Sequence, residues 1–201
     1  MVRNILDGRK TMTRRVLNPQ PQGAEGVFHC KYAVGDHLWV REAWRAESSE
    51  MDHIKPSNIS RAAQILYEAD GWWGDNKTVG KLRPSIFMPR WASRITLEVT
   101  TVKVGRLQDI SVADAIAEGV SRIGRKYIEC GSTDFDKGPN FYCVEGEPFA
   151  GNYPTAKECF CGLWDTINGI KGDDWEGTPF NSQSWRSNPW VAAYSFKVVK
   201  P

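Results

Sequence analysis

The sequence predicts an α+β chain built as a small β-barrel with short flanking helices and two long insertions. Three observations lead there. Strand-like alternation recurs from the first third of the chain to its end. Helical spacing appears only in short runs. Two long insertions fall near 45–92, which holds the irregular stretch 71–92, and 121–155, which has no period and is rich in Gly, Asp, Pro and aromatic residues. The whole of 1–201 is read as one domain carrying those insertions.

The elements follow in order. Val2, Ile5 and Leu6 sit at helical spacing and Gly8 follows as a stop, so a short helix is expected over about 2–7. Residues 9–16 leave it as a polar loop or strand. Asn18 through Gly26 is loop, and Gly35-Asp36 is a turn. His37–Trp44 reads as one strand, Gln64–Ala69 as a second, and 71–92 as an irregular excursion. Arg94–Val104 alternates Ile95, Leu97 and Val99 and is the clearest strand. Ile110–Val120 is a short helix with Ser111 as N-cap, Asp114 in the first turn and Gly119 as the stop. Thr155–Asn168 returns to helical spacing. Trp190–Val199 closes the chain as a strand with Trp190, Ala192, Tyr194, Phe196 and Val198 on one face.

Composition excludes several classes. The chain has 201 residues, 41% hydrophobic and 25% charged, which is a globular balance and not that of a disordered chain. No apolar run is long enough to span a membrane, and 1–10 lacks the apolar core of a secretory signal. Five cysteines without an export signal are expected to be reduced thiols in a cytoplasm. Cys130, Cys143, Cys159 and Cys161 lack a C-x-x-C pair, and His29, His37 and His53 form no zinc pattern, so no metal or other cofactor is expected. No P-loop, G-x-G-x-x-G or G-x-S-x-G occurs.

The net charge of +2 is unevenly spread: residues 1–20 sum to +4 and 81–106 to +5, leaving about −7 elsewhere. Two basic segments can form an anion-facing surface or two solvated faces. Nine tryptophans are mostly expected in the core, with a few available as stacking platforms.

Four segments taken in order carry a resemblance: ILDGRKTMTRR at 5–15, GDHLWVREAW at 35–44, the strand at 94–104 with LQDISVADAIAEGV after it, and LWDTIN at 163–168 followed by NPWVAAYSF at 188–196. Together they resemble the ASCH domain of the PUA-like superfamily, and more narrowly the longer phage- and prophage-encoded ASCH proteins of bacteria. The insertions are weakly covered. The resemblance implies a five- or six-stranded barrel with a cleft facing the short helices. It also implies nucleic-acid or nucleoside chemistry in a bacterial or phage-infected cytoplasm. Small members of the family remove the acetyl group of N4-acetylcytidine with a Lys and a Thr from a G-[RK]-K-x-x-T loop and a Glu from the later helix. The matching residues are Lys10, Thr13 and Glu118. The family's usual strand ahead of the first helix has no counterpart in these residues: either the start at Met1 is internal, or the barrel lacks that strand and has an open edge.

The residue types suit that chemistry. A lysine beside arginines and partly desolvated has a lowered pKa and can act as a base. Lys10 is flanked by Arg9, Arg14 and Arg15. Thr13 is either the nucleophile or a group that orients water, and Glu118 is a candidate to protonate the leaving nitrogen. On a strand Lys10 and Thr13 face opposite sides; on a turn they can converge. The plainer readings are a solvated basic loop, a turn threonine and a surface glutamate. Arg9, Arg14, Arg41, Glu42, Trp44 and Tyr67 are the candidate substrate contacts. Arg41 would suit a phosphate or base edge, and Glu42 a cytosine amino group. Trp44 and Tyr67 would stack, with core packing as the plainer role. The expected activity is therefore a metal-independent amidohydrolase acting on N4-acylated cytosine nucleosides or nucleotides. The alternatives are a non-catalytic RNA-binding module and a ribonuclease. No membrane partner is expected.

Overall fold

The structure, a computed structural model, describes residues 1–21, 27–71, 78–123, 141–143, 153–168 and 182–199. Cys130, Trp72, Trp73, Trp175 and most of the 121–155 insertion lie outside them. The chain is α+β, with antiparallel strand pairs and few, short helices. It divides into two compact units. One comprises Met1, Arg3–Val34 and Val99–Phe196; the other comprises Val2, Gly35–Glu98 and Lys197–Pro201.

The elements are α1 (Val2–Leu6), β1 (Met12–Val16), β2 (His37–Trp39), β3 (Trp44–Ala46), β4 (Ile65–Tyr67), β5 (Thr96–Arg106), α2 (Val112–Ala117), β6 (Ser121–Ile123), β7 (Phe141–Cys143), α3 (Ala156–Ile167) and β8 (Trp190–Val199). A four-stranded sheet has the order β1-β8-β5-β2, and β3–β4 and β6–β7 form separate two-stranded ribbons.

In the first unit β1 pairs antiparallel with β8, Thr13 opposite Tyr194 and Arg14 opposite Ala193. The face that carries Arg14, Val16 and Val191 packs on the helices: Val191 joins Leu107, Ile110, Ala115, Phe160, Leu163 and Trp164 in one core. Burying Phe160 alone contributes about 1.5–3 kcal/mol. The other face is covered too. Phe28 packs on Trp190, and Tyr32 meets Tyr194 edge-on. Two covered faces explain why β8 is buried continuously from Val191 to Tyr194 rather than at alternate positions. Val198, expected to share the buried face, is exposed.

The short helices end as their caps dictate. Ser111 accepts from Asp114 N, and Gly119 turns the chain at φ +101. Thr155 and Glu158 form a complete capping box on α3. That T-x-x-E signature was available in the sequence beside the helical spacing.

In the second unit the expected strand over His37–Trp44 is broken. His37–Trp39 pairs with β5, while Trp44–Ala46 pairs with β4 in a different ribbon. The break falls at Val40–Ala43, where Glu42 turns inward and its N–H meets Met88 Sδ at 3.4 Å instead of a strand carbonyl. Trp44, Ile59, Met88 and Ala92 form this unit's own core. The irregular excursion is a series of single 3-10 turns at Ser85–Phe87 and Arg90–Ala92.

Candidate active site

The Gly8–Thr11 loop is pinned on both sides. Lys10 N donates to Asn4 O at 2.7 Å, Thr11 N donates to Ala117 O at 2.8 Å, and Phe196 N donates to Thr11 O at 2.9 Å. These bonds hold Lys10 at the C-terminal end of α2, which places it beside Glu118, the residue that ends that helix.

Lys10 Nζ lies 2.7 Å from Glu118 Oε2 and 2.7 Å from Glu118 O. Both side chains are enclosed: Lys10 is 6% exposed and Glu118 3%. Arg14 completes the group. Its Nη1 donates to Glu118 Oε1 at 3.2 Å and its Nη2 to Asp114 Oδ2 at 2.8 Å. The guanidinium also lies over the Phe160 ring at 5.8 Å. Two cations and two carboxylates thus neutralise one another in a buried place, the condition under which buried charge is tolerated.

The Lys10 pKa is lowered. Burial lowers it most, Glu118 pulls it back, and Arg15 and Arg14 push it down again. Among the described residues two acceptors face Nζ, the carboxylate and the carbonyl oxygen of Glu118. Glu118 accepts on both carboxylate oxygens.

The structure brings Lys10, Arg14 and Glu118 together and leaves Thr13 apart. Because β1 is paired along its length, Thr13 points to the Tyr194 face while Arg14 points to the helices. Arg14 is consumed by Glu118 and Asp114 and is not a free substrate contact. Arg9 pairs with Asp7 at the surface, at 2.8 Å.

The candidate contacts of the second unit part in the same way. Glu42, 1% exposed, accepts from Arg94 at 2.9 and 3.1 Å. It is occupied, not open to a cytosine amino group. Trp44 is fully enclosed in the core, so it offers no stacking face. The Tyr67 ring is capped by the Arg94 guanidinium at 4.0 Å, and its hydroxyl donates to Ala92 O. Arg41 is exposed and lies over Trp39 at 5.1 Å, with Arg90 at 5.9 Å from the same ring.

Two site residues were not legible in advance. Asp114 was readable as a first-turn acid, but its pairing with Arg14 spans 100 positions. Arg94 was readable only as the edge of a strand, and it grips both Glu42 and Asp70. No group of three or more His, Cys, Asp or Glu side chains placed to hold a metal occurs among the described residues. No helix there is long and apolar enough to cross a membrane. No family model, curated protein or solved structure matches the chain.

Proposed function

We propose that this chain is an amidohydrolase that removes the acyl group from N4-acylated cytosine nucleosides or nucleotides, on a PUA-like barrel of the ASCH type. The observation that carries the reading is the buried Lys10–Glu118 pair, closed at 2.7 Å with both residues almost wholly enclosed. Burial lowers the Lys10 pKa, the direction a lysine needs to serve as a base.

In this reading neutral Lys10 takes a proton from water. The hydroxide adds to the acyl carbon, and the carbon–nitrogen bond breaks. The Lys10 ammonium then returns its proton to the exocyclic nitrogen, so water and amide become a carboxylic acid and the free amine. Glu118 stabilises the ammonium while it carries the proton. Arg14 and Asp114 hold Glu118. Thr13, on the other strand face, takes no part, and water is the nucleophile.

The test is a chromatographic assay of N4-acetylcytidine and its deoxy form, with Lys10→Met alongside. Conversion by the parent and not by the folded variant is the expected result. A folded parent that converts neither substrate contradicts the reading.

A second reading, an RNA-binding module, is favoured by one observation. Exposed Arg41 and Arg90 both lie over the Trp39 ring. Binding of this kind weakens steeply with salt because it releases counterions, whereas nucleoside hydrolysis does not.

A further inference from the structure

We infer that Asn4 is a positioning residue that latches the Glu118–Gly119 turn to Lys10 and so fixes the distance across the Lys10–Glu118 pair. The kinetic part of its test rests on the amidohydrolase reading; the inference itself rests on geometry.

Asn4 is 0% exposed, in a helix of only five residues. A buried asparagine is costly unless its amide is used. Here the residue reaches both halves of the pair. Its backbone carbonyl accepts from Lys10 N at 2.7 Å, and its Nδ2 donates to Gly119 O at 3.1 Å. Gly119 directly follows Glu118, whose own carbonyl accepts from Lys10 Nζ. The chain closes a small ring: Asn4 to Lys10, Lys10 to Glu118, Glu118 to Gly119, and Gly119 back to Asn4.

The fit explains the glycine as well. A Cβ at position 119 would stand 3.1 Å from Asn4 Nδ2 and 3.5 Å from Lys10 Cβ, and the backbone there is at φ +101. Only a residue without a side chain lets the turn lie flat against the asparagine. Among the described residues the buried Asn4 Oδ1 finds no partner, so the contact the amide makes there is the one from Nδ2.

The latch has a signature that a merely structural role lacks. The groups facing Lys10 are Glu118 from the end of α2 and Arg14 and Arg15 from β1, with Asp114 bound to Arg14. Releasing the turn weakens the Glu118 contribution, the one that holds the proton on Lys10, while burial stays. A general loosening of the core would instead hydrate Lys10 and return it toward its ordinary value.

The experiment is Asn4→Leu, which preserves bulk and deletes the donor. Two readouts are taken on the folded full-length chain: pH titration of the Lys10 Nζ nitrogen by NMR, and kcat and KM for N4-acetylcytidine. The expected result is a Lys10 midpoint about one unit lower than in the parent. The expected kinetic change is a kcat about tenfold lower with KM within about twofold. A midpoint that is unchanged, or that rises toward 10.5, overturns the inference. Gly119→Ala presses on the same latch from the other side and is expected to shift the midpoint the same way; it decides if Asn4→Leu does not fold. If neither folds, Asn4 holds the fold and not the pair, and the inference is wrong. A parent without deacylase activity sinks the reading above and leaves the titration to judge Asn4. An active parent with no shift sinks only Asn4.

Discussion

Each unit of the molecule buries one glutamate against a cation, yet the two arrangements have opposite chemical capacity. In the second unit Glu42 is held by Arg94, which also binds Asp70 at 2.6 Å. Burial opposes the Arg94 charge, but hydrogen bonds to Glu42 and Asp70 outweigh it and raise the Arg94 pKa. That proton does not leave at any working pH. In the first unit the cation nearest Glu118 is Lys10, and there burial wins and the pKa falls. One cluster is a latch between chain segments. The other, on the proposed reading, carries the transferable proton. The difference lies in the cations' surroundings: Lys10 is enclosed beside Glu118, whereas Arg94 is partly exposed and bound by two carboxylates.

The contrast can be broken from either side. The largest effect is expected for Lys10→Met, which lowers deacylation by about a thousandfold or more while the chain stays folded. Circular dichroism beside the chromatographic assay checks both halves. Arg14→Met comes next. It leaves Glu118 and Asp114 without their shared guanidinium, and a denaturant titration is expected to show a loss of about 3–5 kcal/mol. Glu42→Ala is milder, about 2 kcal/mol, because Arg94 is partly exposed and keeps Asp70.

The pH dependence of stability sharpens the comparison. The folded Lys10 pKa lies below the unfolded value of 10.5. Between the two, the unfolded chain binds a proton that the folded chain does not. This contribution is therefore fully present above 10.5 and is lost as pH falls through the folded pKa, by at most about 1.4 kcal/mol per pH unit. The parent-minus-Lys10→Met difference in unfolding free energy isolates that slope from the tyrosines. Arg94→Lys in the second unit is expected to leave it in place.

The smallest effect concerns the thiols. Burial, with Cys143 adding, pushes Cys159 up to about 12, and burial with Asp165 and Glu158 pushes Cys161 up to about 11. Alkylation at neutral pH, mapped by peptide mass spectrometry, is expected to modify exposed Cys30 well before either.

The local signals were legible and the long-range pairings were not. Ser111, Asp114 and Gly119 announced α2 because capping is written within one turn of chain. The alternation of Ile95, Leu97 and Val99 announced β5, and all three are buried. The break after Trp39 was hidden because the contacts Glu42 makes there, to Met88 and Arg94, lie 46 and 52 positions away. The same limit held at the site. Lys10 and Glu118 could be named as candidates, but the sequence left Thr13 on either side of Lys10. Pairing with β8 sets Thr13 on the face opposite Arg14, because a paired strand must alternate. Arg14 read as a free basic group for the same reason: its two acids lie on α2, far along the chain.

The most direct test is a pH titration of the Lys10 Nζ nitrogen in the parent protein, with Glu118→Gln alongside. The account predicts a midpoint clearly below 10.5 in the parent and lower still in the variant, where the charge that retains the proton is gone. A parent midpoint at or above 10.5 would make Lys10–Glu118 a fixed ion pair like Arg94–Glu42, and the proton-carrying role would fall.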